Sequence, residues 1–140
     1  MSDIESVAKR LNRLAGEDNF VSWMGVELGD VRAGHVQVRM TVRDDHLNFM
    51  GWAHGGVLFA FADTAFGLAS NSHDHQSVGI DAHIAYLSGV RQDDVLIATA
   101  IEVSRTKRKG VYRVDIMREG DDTMIAPFTG TVFVTEKKWD

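Results

Sequence analysis

A histidine, two glycines and a later aspartate stand in one apolar stretch, as His54-Gly55-Gly56 followed by Asp63. The pattern predicts a helix starting at Gly55, where unpaired backbone N–H groups and the positive end of the helix dipole meet solvent. Gly55 and Gly56 have no side chains to keep a substrate carbonyl away from that backbone. Such donors suit an oxyanion hole, which stabilises charge developing in acyl transfer. His54 stands where it can orient the loop or the carbonyl. The same two glycines also suit close helix packing, and their spacing alone leaves both readings open.

Asp63 is the sharper anomaly. A carboxylate inside an apolar helix is costly unless paired, and its pKa tends to rise. Groups of this kind act as acids, bases or nucleophiles. A structural aspartate paired with an arginine or a backbone donor is the other reading. Helical geometry then constrains the site. Gly55 and Asp63 are separated by about 12 Å along the axis at the usual rise, and His54 and Asp63 fall on nearly opposite sides of the helix. They cannot form a dyad within one chain. If both serve one reaction, Gly55 of one chain must face Asp63 of another across a two-fold dimer.

The elements that must position these residues are legible from periodicity. Ser2 and Glu5 have capping-box spacing. Ile4, Val7, Leu11 and Leu14 recur at helical spacing, with Gly16 as a stop. Val36, Val38, Met40 and Val42 alternate with polar residues, as in a half-buried strand, and Val26 and Leu28 suggest its partner beyond a turn near Asp30 to Gly34. A polar loop runs from about Arg43 to Ala53. The stretch from Gly55 to Asn71 is apolar on every side, so it is expected to be a helix buried all round, inside a sheet or against another chain. Three alternating runs follow: Val78 to Tyr86, Val95 to Val103 and Tyr112 to Ile116. After a turn at Gly120-Asp121-Asp122 a last strand runs from about Met124 to Thr135, with Pro127 at a bulge or an edge. Helix, two strands, buried helix and four strands make an α+β fold with an antiparallel sheet around one helix.

Bulk properties narrow the function. The chain has 140 residues, 44% of them apolar and 25% charged, with a net charge of -5. One domain spanning 1–140 is expected. The acidic balance argues against general nucleic-acid binding. The sequence has no cysteine, which removes disulfides, thiolate nucleophiles and Cys-based zinc sites. The first residues lack the apolar core of a signal peptide, and no apolar run is long enough to span a bilayer. A cytoplasmic protein with no membrane partner is the expectation. His73-Asp74-His75 resembles a small metal cluster but lacks further ligands at convincing spacing, so a solvated loop and no metal are expected. Serine-hydrolase, phosphate-loop and dinucleotide glycine patterns do not occur.

Asn48-x-x-Gly51-x-x-His54-Gly55-Gly56, followed by Ala62-Asp63-Thr64-Ala65, resembles the hotdog-fold thioesterases of the phenylacetate-degradation (PaaI-like) type. The run His83-Ile84-Ala85-Tyr86-Leu87 is similar to that family too. The resemblance covers about Gly25 to Thr135. It implies a curved antiparallel sheet wrapped around the long helix, a homodimer or homotetramer with shared sites, and hydrolysis of acyl-CoA without a cofactor. Asp63 would match the catalytic carboxylate, as general base or nucleophile. Gly55 would match the backbone donor, Asn48 the loop residue that positions water or the carbonyl, and His54 a supporting residue. Gly56 and Thr64 would lie beside the substrate, Thr64 as the hydroxyl next to the carboxylate.

Two further groups are candidates. Arg105, Lys107, Arg108 and Lys109 form a basic cluster between two strands, either holding CoA phosphates or simply solvated. Phe49, Trp52, Phe59 and Phe66 could line an aromatic acyl pocket, with core packing the expected role of at least two of them. Two rival functions remain: a hydratase or dehydratase of the same fold, and an acyl-CoA-binding module without catalysis.

Overall fold

The computed structural model describes residues 3–139, with side chains from residue 6 onward. Its centre is a sixteen-residue helix, α3 (Gly55–Ser70), which packs against a six-stranded antiparallel sheet. The strands are β1 (Glu27–Arg32), β2 (His35–Thr41), β3 (His75–Ile84), β4 (Val95–Arg105), β5 (Lys109–Arg118) and β6 (Met124–Lys138), in the spatial order β1-β2-β4-β5-β6-β3. Helix α3 contacts β2, β3, β4, β5 and β6. This is the α+β arrangement expected from the sequence. No helix among the described residues is long and apolar enough to cross a membrane.

The N-terminal part holds two helices where one was expected. Helix α1 (Asp3–Glu17) runs one residue past Gly16. The Ser2–Glu5 capping box and the Ile4 side chain lie outside the described residues. A short second helix, α2 (Asn19–Met24), follows. Asp18 starts it by accepting the Phe20 and Val21 N–H groups at 3.1 and 3.0 Å, which satisfies donors that have no intrahelical partner. Gly25 ends it in the left-handed region at φ 77°, a conformation open to glycine at little cost.

The core lies between α3 and the inner face of the sheet. Val36, Val38 and Met40 of β2 and Tyr112, Val114 and Ile116 of β5 point inward and are buried, as their alternation predicts. Strand β4 has the opposite phase from the one its bulky residues suggest. Leu96, Ala98 and Ala100 face the core with no exposure, while Ile101 and Val103 are 49% and 64% exposed. Small inward residues let α3 approach the sheet, and the large β-branched ones are left outside.

Strand β3 departs furthest from expectation. It is an edge strand, and its apolar residues are largely open, Val78 at 52% and Ile80 at 53%. Pro127 is not on an edge strand, because β6 pairs with both β5 and β3. Its carbonyl accepts the Ala85 N–H at 3.1 Å, just beyond the end of β3. The N–H that proline lacks therefore falls where β3 pairing stops. A register shift between β5 and β6 lies immediately before it.

Helix α3 is not buried all round within this chain. Val57, Leu58, Phe61, Ala62, Ala65, Phe66 and Leu68 to Ser70 are buried. A stripe at helical spacing, Gly56, Ala60, Asp63, Thr64 and Gly67, stays exposed or half-buried. Asp63 is exposed in the single chain and does not sit inside the core.

Candidate active site

His54 caps α3. Its Nδ1 accepts the Gly56 N–H at 2.8 Å, and its own N–H donates to the His46 carbonyl at 2.8 Å. A backbone N–H can only donate, so in the neutral ring the proton sits on Nε2. The cap occupies the Gly56 donor. The Gly55 N–H has no hydrogen-bond partner among the described residues. Tyr86 fixes this position by donating its hydroxyl to the Gly55 carbonyl at 3.0 Å. A Cβ added at Gly55 would stand 3.4 Å from the Tyr86 ring. Gly55, Leu58, Tyr86, Leu87 and Val90 line an open cleft of about 270 Å³.

The loop before α3 is tightly tied. Asn48 Oδ1 accepts the Met50 and Trp52 N–H groups at 2.8 and 3.2 Å, and the Asn48 N–H donates to the Trp52 carbonyl at 2.7 Å. Gly51 takes a φ of 83° within this turn. The side-chain oxygen of Asn48 is therefore committed to the loop, and its Nδ2 is the group left to donate. His46, only 1% exposed, braces the same loop through Nδ1, which accepts the Arg43 N–H at 3.0 Å. Burial holds its imidazole pKa below the ordinary value.

Asp63 lies on the other side of α3. With Leu14, Asp18, Val21, Thr64, Gly67 and Leu68 it lines a cleft of about 240 Å³ between α3 and the α1–α2 pair. Desolvation by the cleft walls raises its pKa above the ordinary carboxylate value, and the nearby charge of Asp18 adds to the rise. Thr64 donates its hydroxyl to the Ala60 carbonyl at 2.7 Å, leaving its oxygen able to accept. Asp63 and Gly55 thus line different clefts. Their separation follows from the helix itself, as the sequence spacing requires.

The aromatic candidates divide. Phe66 packs against Tyr112 and Phe128, and Phe59 against Phe128, in the core. Phe49 is 98% exposed at the loop tip, beside the exposed Met50. Trp52 lies under the Arg91 guanidinium, 4.5 Å from its ring centroid.

The basic residues divide as well. Arg105, Lys107 and Arg108 line a cleft of about 280 Å³ with His75 and Glu136, at the C-terminal end of α3. Arg105 donates to the Tyr112 hydroxyl at 3.1 Å and to the Ser70 carbonyl at 3.4 Å. Arg108 pairs with Glu136 at 2.9 Å. Lys107 is exposed, with no ion pair among the described residues.

His73 is not simply solvated. Its Nε2 lies 2.7 Å from Glu102 Oε1, which also accepts the Tyr112 hydroxyl at 2.7 Å. Desolvation opposes the Glu102 charge, but the hydrogen bonds from Tyr112 and His73 outweigh it and lower its pKa. Among the described residues no group of three or more His, Cys, Asp or Glu side chains is placed to hold a metal ion.

Sequence reasoning passed over three residues that shape these clefts: Asp18, His46 and Tyr86's contact with Gly55. Asp18 carried a signal, because an aspartate five residues before a Trp-Met-Gly stop has the pattern of a capped short helix. His46 and the Tyr86 contact carried none, since both depend on where distant segments meet.

The model of the Thioesterase superfamily matches residues 50–125. The acyl-coenzyme A thioesterase PaaI of Escherichia coli is 36% identical over 107 residues, 76% of each chain. The solved structure of the E. coli PaaI protein superposes with a TM-score of 0.94 at 28% identity, over 98% of this chain and 99% of that one. A hypothetical thioesterase protein from Streptococcus pneumoniae, solved with coenzyme A, superposes with a TM-score of 0.77 at 33% identity, over 81% of this chain and 91% of its own.

Proposed function

Since this chain belongs to the thioesterase superfamily, we propose that it is an acyl-CoA thioesterase of the PaaI type that cleaves arylacetyl-type thioesters at a site shared between two subunits. The observation that carries this reading is the division of α3 into two half-sites. Its start presents the Gly55 N–H, which has no partner among the described residues, beside the capping His54. Its middle presents Asp63, on another side, at the mouth of a cleft whose walls raise its pKa. Neither half is a complete site for acyl transfer.

A second copy of the chain would complete both. Strand β3 offers an open edge ten residues long with exposed Val78 and Ile80, and an unpaired, apolar edge favours association with another strand. Edge pairing around a two-fold axis is self-complementary, and it would bring the start of one α3 towards the middle of the other. The exposed Phe49, Met50, Tyr86 and Leu87 near Gly55 would be covered at the same time.

In this site the Gly55 N–H binds the thioester carbonyl and stabilises the oxyanion. The Asp63 carboxylate either takes a proton from the attacking water or attacks the carbonyl itself. In both routes the C–S bond breaks and the CoA thiol leaves with a proton; in the first, water itself becomes the hydroxyl of the product acid, and in the second, water cleaves the acyl–aspartyl anhydride so formed and returns the Asp63 carboxylate. Asn48 Nδ2, the amide group not used within the loop, would hold the water or the carbonyl. Lys107 and Arg108 are the cations available to CoA phosphates. The aromatic acyl preference is supported by the likeness to the E. coli PaaI protein, which comes from the phenylacetic acid degradation operon, and by the apolar walls beside Asp63.

Thiol release from phenylacetyl-CoA by wild type and Asp63→Asn tests the proposal. Release by the wild type and its loss in the variant support it. Tight CoA-ester binding without release would make the chain a binding module. Hydration or alkene formation on the acyl chain would make it a hydratase.

A further inference from the structure

We propose that the cleft between α3 and the α1–α2 pair is the acyl-binding pocket and that Gly67, by lacking a side chain, sets the size of acyl group it accepts. The inference rests on the thioesterase reading above and goes beyond it to substrate choice.

Three observations carry it. The first is position. Asp63 and Gly67 are one turn apart on the same open stripe of α3, and Thr64, Leu68 and Asn71 continue it along the cleft floor. From Asp63 to Asn71 the floor runs about 12 Å along the helix axis. A thioester carbonyl placed beside Asp63 therefore has its acyl group directed along this floor.

The second is Gly67 itself. Glycine in a helix interior weakens the helix, so its presence needs a local reason. A Cβ built at Gly67 meets nothing within 4 Å. Close packing against a neighbour does not explain the glycine. Open space does, and that space is the cleft.

The third is the wall. Leu14, Ala15 and Val21 face the floor from α1 and α2, and Trp139 closes the far end. This wall is held in place. Arg10 donates to the Asn71 and His73 carbonyls at 3.0 and 2.8 Å and lies over the Trp139 ring. Trp139 donates through Nε1 to Asn71 Oδ1 at 3.2 Å and through its backbone to Asp74 at 2.8 Å. Every wall residue lies outside the segment 50–125 that matches the family model. The common machinery and the selective wall are therefore different parts of the chain. The wall is apolar and its mouth carries Asp18 and Asp63, so the pocket suits neutral apolar acyl groups and disfavours acids such as succinyl.

Gly67→Ala and Gly67→Leu test the assignment, because a side chain there enters open space and both residues favour helix more than glycine does. The readout is kcat/KM on acetyl-, butyryl-, octanoyl- and phenylacetyl-CoA, with melting temperature as the control for folding. Gly67→Leu is expected to cut kcat/KM for the octanoyl and phenylacetyl esters by about tenfold or more relative to acetyl-CoA, and to melt no lower than wild type. Gly67→Ala should fall between. An unchanged profile across the panel, or an equal loss on every ester with the fold intact, would overturn the assignment. If the wild type releases no thiol from any ester, the thioesterase reading itself has failed, which is a separate result.

Discussion

His54 Nδ1 accepts the Gly56 N–H at 2.8 Å, and this bond decides which donor at the start of α3 remains free. The cap takes Gly56 and leaves Gly55. A polar cap of this kind contributes about 1 kcal/mol. His54→Ala is expected to lower the melting temperature and to reduce kcat by freeing the turn, whereas His54→Asn, which can still cap, should recover most of the stability. Thermal melts beside thiol-release kinetics check both.

Gly55→Pro isolates the donor. Gly55 is the first helical residue, where proline is well tolerated. His54 already has the extended backbone, φ -62° and ψ 134°, that a following proline requires. The variant should fold with a melting temperature near wild type, because the N–H it removes has no partner among the described residues. It should lose about 10²-fold to 10³-fold in kcat, the usual cost of one oxyanion donor. An unchanged kcat in a folded variant would remove Gly55 from the mechanism.

Asp63 gives a pH dependence with a definite sign. Desolvation and Asp18 both raise its pKa. The acid limb of kcat/KM should therefore lie above the ordinary carboxylate value of 3.8, and Asp18→Asn, which keeps a capping side chain, should move it down. Stability follows the same linkage. A carboxyl whose folded pKa is raised favours the fold fully below its unfolded pKa and loses that contribution as pH rises through the folded value. Asp63→Asn is expected to melt higher than wild type at pH 7, with the difference shrinking as pH approaches 3.8 and below. Parallel pH–rate and pH–melting series measure the two effects.

The basic cluster should split into two behaviours. Lys107→Ala and Arg108→Ala leave the core untouched and are expected to raise KM for CoA esters with little change in kcat or melting temperature. Arg105→Ala removes a partner of the Tyr112 hydroxyl, and that ring is fully buried. It should lower stability by about 1–3 kcal/mol, the range for a buried polar group that loses a partner. Steady-state kinetics and denaturant titration separate them.

The parts of this architecture visible in the sequence are those set by local period. The N-terminal helix, the two runs that become β2 and β5, and the long helix after His54 follow from which residues alternate at two or at 3.6. What the period could not give was which side faces what. In β4 the large residues Ile101 and Val103 face outward because α3 needs Ala98 and Ala100 beneath it. In β3 the alternation of Val78 and Ile80 marks no buried face of this chain, since the strand lies at the sheet edge. Helix α2 was hidden because six residues are too few for a periodic signal, although Asp18 and Gly25 bracket it. At the site, the eight-residue spacing already separated Gly55 from Asp63. The cleft beside Asp63 could not be read, because its wall comes from residues more than forty positions away in sequence and from Trp139.

The proposed dimer rests on one claim, that Gly55 of one subunit and Asp63 of another make one site. Mixing an Asp63→Ala chain with a Gly55→Pro chain, after subunit exchange has been verified, measures it directly. Each homodimer lacks a working site, while a mixed dimer holds one complete site of two, so random pairing should restore about a quarter of wild-type thiol release. Exchange without any recovery would contradict the claim, as would full activity in a verified monomer.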